Sequence, residues 1–213
     1  MIRAPRCGAL VLAAGRARRF GSDKRRARLP SGHTLLAATL NTCIGQVDEV
    51  RLVLAPADDA DELLADTRLG TASIVRAADS HLGMGHSIAT GIKECRDWDA
   101  ALIVLADMPW VGAETIAAII AAWRCSPDRQ HVIVRPRYRG QNGHPVCFGA
   151  AHFDALARCS GDRGAATLVQ SCRTRQDLEL ADPGMTMDAD TPQALTDACR
   201  EAREPPGHQR SEA

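Results

Sequence analysis

Aromatic residues are scarce in this chain of 213 residues, since they make up only 3% of it. Apolar residues nevertheless reach 45%, so alanine, leucine, isoleucine and valine must build the core. A chain of this length is long enough for one α/β domain with a sizeable core. The formal net charge is zero, which gives no support for binding to nucleic acid or to a membrane surface. No apolar run approaches the roughly 20 residues of a membrane-spanning helix.

Paired cysteines are missing as well. None of the eight cysteines forms a C-x-x-C pair or has the spacing of zinc ligands. Most of them lie in apolar segments, where a free thiol behaves as a small hydrophobic group. Residues 1–8 lead straight into an apolar run and do not have the pattern of a signal peptide. We therefore expect reduced thiols and a cytoplasmic location.

Lysine is the rarer basic residue by far, because only Lys24 and Lys93 occur among 26 lysines and arginines. Lys24 ends a loop that begins at Gly15, directly after an apolar run, and that also contains Arg19. Glycine lets backbone N–H groups approach an anion, and a compact ammonium reaches between phosphates where a planar guanidinium fits less well. The loop therefore predicts a phosphate site; the alternative is a surface loop with solvated charges.

Strand-like and helix-like segments alternate along the chain. The predicted strands are 9–13, 49–55, 73–77, 100–106, 131–135, 145–148 and 176–180. The predicted helices are 34–43, 57–66, 85–95, 113–123, 151–158, 163–171 and 191–203. This alternation predicts a mostly parallel sheet in a layered α/β fold. We expect one domain over residues 1–203 and a disordered tail over 204–213, which is polar and rich in proline.

The suspected site segments all follow predicted strands, and ligands of open parallel sheets bind beyond the carboxyl ends of the strands. Asp107 stands at the end of a strongly apolar strand, where little besides backbone amides or a cation can satisfy its carboxylate. Mg²⁺ is held by one or two carboxylates together with phosphate oxygens. The sequence therefore predicts a magnesium ligand at Asp107, with capping of the following helix or turn as the alternative.

Two further carboxylates, Asp188 and Asp190, lie near the end of the chain. Alternate residues of an extended segment point the same way, so both carboxylates are placed to face one cation. The alternative is that Thr191 or Asp190 caps the last helix, with Pro192 at its first position.

Three loops complete the set of candidates. Gly83, Gly85 and Ser87 precede a helix, whose N-terminal amides suit a ribose or phosphate; an ordinary loop and cap is the alternative. His144 lies in a polar turn after the fifth strand, as a candidate base or ligand contact or as a structural histidine. Segment 161–164 offers an acidic N-cap for the next helix.

Together these segments resemble the MobA-like nucleotidyltransferase family, which includes the cytidylyl- and guanylyltransferases of the molybdenum cofactor. The matching segments, in the order of the family, are 12–24 (L-A-A-G-x-x-x-R-F-G-x-x-K), 83–87, 105–109, 143–146, 161–164 and 188–192. They span residues 9–195, nearly the whole chain. The resemblance implies a Rossmann-like, three-layer α/β/α domain with a mixed, mostly parallel sheet.

The resemblance also implies roles for individual residues. The triphosphate would lie in the loop that begins with Leu12, Ala13, Ala14 and Gly15, with Arg19 and Lys24 on its oxygens. Asp107 would hold Mg²⁺, with Asp190 and Asp188 completing the metal site. Gly83, Gly85 and Ser87 would contact the base and ribose, and His144 would face the second substrate. Arg25 stands where many members have an apolar residue, so it is placed either at the acceptor phosphate or in solvent.

The implied activity is transfer of CMP from CTP to a phosphorylated acceptor such as molybdopterin, with release of pyrophosphate. Lys24, Arg19 and Asp107 would carry catalysis with Mg²⁺ as cofactor. The alternatives are a sugar-1-phosphate nucleotidyltransferase, and a non-catalytic accessory protein that holds a cofactor for a molybdoenzyme partner.

Overall fold

The structure is a computed structural model that describes residues 3–15, 20–21, 23–67, 73–189 and 191–201. Its strands are β1 (Cys7–Leu12), β2 (Glu49–Leu54), β3 (Ser73–Arg76), β4 (Ala100–Leu105), β5 (Ile133–Tyr138), β6 (Gln141–Asn142), β7 (Val146–Gly149) and β8 (Arg175–Glu179). Its α-helices are α1 (Leu35–Cys43), α2 (Ala60–Leu64), α3 (Met84–Lys93), α4 (Ala113–Cys125), α5 (Phe153–Leu156), α6 (Ala166–Ser171) and α7 (Pro192–Glu201).

The strands form one sheet in the order β3-β2-β1-β4-β7-β5-β6, with β8 also paired to β5. Strands β1 to β4 are mutually parallel, and β8 is parallel to β5. Strand β7 is antiparallel to both of its neighbours, β4 and β5, so β5 runs in the same direction as β4. The carboxyl ends of β1 to β5 and of β8 therefore meet at one edge. The prediction of a mixed, mostly parallel α/β sheet is confirmed.

Helices cover both faces of the sheet, as the continuously apolar central strands require. Ala9 and Val11 of β1 pack in a core with α1, α2 and α4, whereas Leu10 and Leu12 pack in a second core with α3, α5 and α6. This division follows from the alternation of side chains along a strand. All six residues of β1 are buried. The sheet is thus a rigid base from which the strand-end loops project.

The boundaries differ from the predicted ones in a few places. Helix α2 begins only at Ala60, because the Asp59 side chain accepts from the Glu62 N–H and caps it there. Helix α6 begins at Ala166 and its first turn has no side-chain cap, so the predicted cap from segment 161–164 is wrong.

The last helix, α7, begins with a Thr191 cap, which is one of the alternatives predicted for segment 188–192. Thr191 Oγ1 accepts from the Ala194 N–H at 3.0 Å, and Pro192 is the first helical residue. The predicted tail at 204–213 lies outside the described residues. No helix in the described part of the chain is both long and apolar enough to cross a membrane.

Candidate functional site

Backbone hydrogen bonds hold the ends of the central strands together beyond the regular pairing. The Ala13 N–H donates to the Val53 carbonyl at 2.9 Å, and the Ala106 N–H donates to the Leu12 carbonyl at 3.2 Å. From the face of the sheet that α1 covers, the Thr39 hydroxyl donates to the Ala106 carbonyl at 3.2 Å. The segments that leave β1 and β4 therefore start side by side, from a fixed base.

A charge pair joins these two segments. Lys24 Nζ lies 2.5 Å from Asp107 Oδ2, although 83 residues separate the two in sequence. The side chains are 15% and 21% exposed, so the pair is partly buried and still open to a ligand from one side. An ammonium beside a carboxylate at this edge is a combination that can bind a phosphate and a divalent cation together.

Asp107 does not cap the helix that follows it, which was the alternative to a metal ligand. The start of α4 is tied instead to Asp182, whose Oδ2 accepts from the Gly112 N–H at 2.9 Å and from the Thr115 hydroxyl at 2.6 Å. The Asp107 carboxylate instead faces Lys24.

Arg25 is held by a set of hydrogen bonds that use all five N–H donors of its guanidinium. Asp23 accepts from Nε at 2.8 Å and from Nη2 at 2.6 Å. Asp58 accepts from Nη1 at 2.6 Å and from Nη2 at 2.9 Å, and the Ala13 carbonyl accepts from Nη1 at 2.7 Å. A contact between Arg25 and an acceptor phosphate, as predicted, requires one of these bonds to break.

The next arginines along the chain are paired at the surface. Arg26 Nη2 lies 2.7 Å from Glu62 Oε1, with both side chains about half exposed. Arg28 Nη2 lies 3.1 Å from Asp66 Oδ2. Such exposed pairs contribute little to stability. They contrast with Arg25, which is only 13% exposed.

Gly85 and Ser87, predicted to precede a helix, lie in the first turn of α3, which is in close contact with a loop. The Gly85 N–H donates to the Gly161 carbonyl at 2.8 Å. A Cβ on Gly85 would come within 2.6 Å of the Ser160 backbone, and one on Gly83 within 2.4 Å of Gly161. The packing alone thus explains both glycines. Ser87 is 4% exposed in α3, and the contact of these three residues with a nucleoside stays a prediction.

His144 lies at the same edge as the charge pair. Its backbone N–H donates to the Met185 carbonyl at 2.9 Å, while its ring Nδ1 is buried and has no hydrogen-bond partner in the described part of the chain. Burial lowers the pKa of His144, and the negative charge of Asp107 raises it to a smaller extent. The ring is therefore neutral at neutral pH, and its Nδ1 is enclosed by the protein.

The metal site is described in part. Arg19 and Asp190 lie outside the described residues, and Asp188 is exposed. Within the described ranges no three histidine, cysteine, aspartate or glutamate residues are grouped as a metal site. Asp107 fits a hard cation by its chemistry: a carboxylate, partly exposed, at the edge of the sheet where phosphate oxygens can complete the ligands.

Residues 9–178 match the family model described as the MobA-like NTP transferase domain. The chain belongs to this family. It is 27% identical over 202 residues to "Purine catabolism protein PucB" of Bacillus subtilis, covering 90% of this chain and 95% of that protein. It is 29% identical over 187 residues to "Phosphoenolpyruvate guanylyltransferase" of Sphaerobacter thermophilus, covering 84% and 82%. The chain is therefore a nucleotidyltransferase, as predicted.

Solved structures share the fold of this chain. A homolog of Rv0371c from Mycobacterium sp. strain JC1 superposes with a TM-score of 0.78 at 28% identity, covering 92% of this chain and 96% of that one. Rv0371c of Mycobacterium tuberculosis in complex with manganese superposes with a TM-score of 0.70 at 25% identity, covering 92% and 98%. A neighbour of the same fold thus binds a divalent metal ion.

The residues that sequence reasoning missed are Asp58 and Asp182. Both carboxylates lie just outside a regular element. Other acidic residues are close by in sequence, so each of the two reads as an ordinary solvated side chain. For Asp58 a weak signal existed, because it follows β2 by four residues and so had to lie at the carboxyl edge of the sheet. Its pairing with Arg25 joins residues 33 positions apart and leaves no local pattern.

Proposed function

We propose that this nucleotidyltransferase transfers an NMP from an NTP to a phosphorylated small molecule, using Mg²⁺ and releasing pyrophosphate. CTP is the expected nucleotide, and molybdopterin is the first acceptor to test. The observation that carries the proposal is the Lys24–Asp107 pair at the carboxyl edge of the sheet. In a MobA-like NTP transferase domain, this pair offers one group for a phosphate and one for a cation.

The chemistry needs charge neutralisation more than a base. An oxygen of the acceptor phosphate attacks the α-phosphorus of the NTP, the bond from that phosphorus to the β-bridging oxygen breaks, and pyrophosphate leaves. The attacking phosphate is already ionised, so no residue has to remove a proton. Lys24 stabilises the charge that develops on the phosphate oxygens. Mg²⁺, held by Asp107 and by phosphate oxygens, would neutralise further negative charge.

Arg19 is proposed to assist Lys24, and Asp188 and Asp190 to complete the metal ligands. The nucleotide is proposed to lie along Leu12, Ala13, Ala14 and Gly15, where a Cβ on Gly15 would meet only open space. His144 is proposed to contact the acceptor, because its neutral ring lies at the same edge as the Lys24–Asp107 pair.

A second candidate is guanylyl transfer to another phosphorylated acid. It is favoured by the similarity to a protein named phosphoenolpyruvate guanylyltransferase, which spans 84% of this chain. A sugar-1-phosphate is a third acceptor class that the same chemistry allows. These candidates share the reaction and differ in the base and acceptor alone.

Pyrophosphate release with a matrix of four NTPs and three acceptors tests the proposal. The acceptors are molybdopterin, phosphoenolpyruvate and a set of sugar-1-phosphates. We expect release to require Mg²⁺ and acceptor together, and to be fastest with CTP and molybdopterin. The highest rate with GTP and phosphoenolpyruvate would establish the second candidate. Binding of nucleotide without turnover on any acceptor would contradict the transferase mechanism.

A further inference from the structure

We propose that Arg25 and Asp58 form a positioning pair, which fixes Lys24 at the site without touching the substrates. The inference rests on the proposed function of Lys24 and adds the two residues that hold it in place. It assigns Arg25 to the protein's own framework, in contrast to a contact with the acceptor phosphate.

The first step is that Arg25 connects three separate segments through one rigid group. The guanidinium is planar and rigid, so its five hydrogen bonds hold their partners in fixed positions relative to each other. They reach Asp23 in the loop, the carbonyl of Ala13 after β1, and Asp58 after β2. The side chains of Arg25 and Asp58 are 13% and 15% exposed, so water competes little for these bonds.

The second step is that Asp58 is itself anchored to the sheet. Its Oδ2 accepts from the Ala55 N–H at 2.8 Å. From β3, Arg76 Nη1 donates to the carbonyls of Ala55 and Asp58 at 3.0 and 2.7 Å. Although burial opposes ionisation of Asp58, the hydrogen bonds from Arg25 and from Ala55 lower its pKa overall. Asp58 is thus a fixed anion, supported by two strands.

The third step is that Lys24 shares a single turn with Arg25. The turn is a 3₁₀-helix over Lys24–Arg26, and the Asp23 side chain accepts from the Arg25 N–H at 3.1 Å. A lysine stem is flexible, so the position of Nζ depends on where its backbone is held. With the turn fixed by Arg25, Lys24 Nζ reaches Asp107 at 2.5 Å.

Steady-state kinetics of Asp58→Asn test the functional consequence. This variant keeps the size of the side chain and removes the charge that holds Arg25. We expect kcat/KM for the NTP to fall on the order of 10- to 100-fold, because small displacements of a positioned group are costly. Asp58→Glu, which retains the carboxylate, should recover part of the loss. Glu62→Gln is the matched control, since it disrupts the exposed pair of Arg26, one residue further along.

A purely structural role would lower Tm in Asp58→Asn and leave kcat/KM unchanged at temperatures well below Tm; that result overturns the proposal. Should Asp58→Asn fail to fold, Asp58→Glu takes its place: a loss of kcat/KM at wild-type Tm supports positioning, and wild-type kinetics overturn it.

A measurement without turnover separates this inference from the proposed function. The chain has only two lysines, so ¹³C-lysine labelling gives one NMR signal from Lys24 and one from the reference Lys93. In Asp58→Asn the Lys24 signal should move while that of Lys93 stays in place, and Glu62→Gln should move neither. An unchanged Lys24 signal overturns the positioning role even if the enzyme is active. If the wild type is inactive on every acceptor, the proposed function is refuted. The NMR comparison of the wild type with Asp58→Asn still decides whether Arg25 and Asp58 position Lys24.

Discussion

At the scale of single residues, the Lys24 ammonium is the group on which the proposed chemistry depends most. Lys24→Ala removes it while leaving Asp107, which is partly exposed and can be solvated. We expect kcat/KM to fall about 10²- to 10³-fold, the usual cost of losing one charge-stabilising donor at a transition state. Steady-state kinetics at saturating Mg²⁺ check this, with circular dichroism as the test of folding.

Lys93→Ala is the control for Lys24→Ala, because Lys93 is the other lysine and lies in α3 outside the candidate site. It should retain wild-type kinetics. Near wild-type kcat/KM in Lys24→Ala would contradict the phosphate role.

His144 gives a prediction at the same scale that concerns pH. Because burial lowers its pKa below the ordinary value of 6.5, the folded protein keeps the ring neutral where the unfolded chain already binds a proton. The free energy of unfolding should therefore decrease as the pH falls below about 6.5, by at most about 1.4 kcal/mol per pH unit from this group. The decrease should end once the pH is below the folded pKa.

Urea unfolding of the wild type and of His144→Gln between about pH 5 and pH 8 checks this dependence. The difference in free energy of unfolding between the two should shrink toward acid pH, since glutamine does not titrate. A difference that stays constant over this range would show that the His144 ring titrates normally.

At the scale of elements, the sequence predicted the central strands β1 and β4 well because strands buried on both faces read as short apolar runs. It did not reveal that β7 runs antiparallel to its neighbours, since pairing partners leave no mark within a segment, nor β6, which has only two residues. At the candidate site, the meeting of Lys24 and Asp107 was predictable because both segments follow parallel strands whose carboxyl ends share one edge. The partner of Arg25 was not, because that bond depends on how loops pack in three dimensions.

The contact between the first turn of α3 and segment 160–162 carries a prediction at this scale. Gly85→Ala places a Cβ within 2.6 Å of the Ser160 backbone, so the helix or that segment must shift. We expect a loss of about 1–3 kcal/mol in the free energy of unfolding, as for other overpacked sites. Nucleotide affinity should fall as well if this end of α3 receives the nucleoside.

Gly112→Ala is the matched control, because the nearest atom to its Cβ would lie at 3.5 Å, an ordinary contact, and its φ of −72° suits alanine. Urea unfolding should show the smaller loss in this variant, since its only cost is the lower preference for alanine at the N-cap position of α4. Equal effects of the two substitutions would contradict the account of Gly85 as a packing glycine.

At the scale of the whole molecule, zero net charge means that overall attraction does not draw a polyanionic nucleotide to this protein. On the function proposed above, affinity comes from the local arrangement at the carboxyl edge, where Lys24 would supply a cation and Asp107 a ligand for a second one. The two groups are now paired with each other at 2.5 Å. Nucleotide and metal should therefore bind best together, since each offers a new partner to one member of the pair.

Thermal unfolding tests this coupling. A ligand that binds only the folded state at about 100 times its Kd stabilises it by roughly 2.7 kcal/mol. For a domain of this size, that is a rise in Tm of about 5–10 °C. We expect such a rise for the preferred NTP with Mg²⁺, and a much smaller one for the NTP with EDTA. Asp107→Asn should reduce the rise with Mg²⁺ toward the EDTA value. Equal rises with and without metal in the wild type would show that Asp107 and the nucleotide do not share a cation.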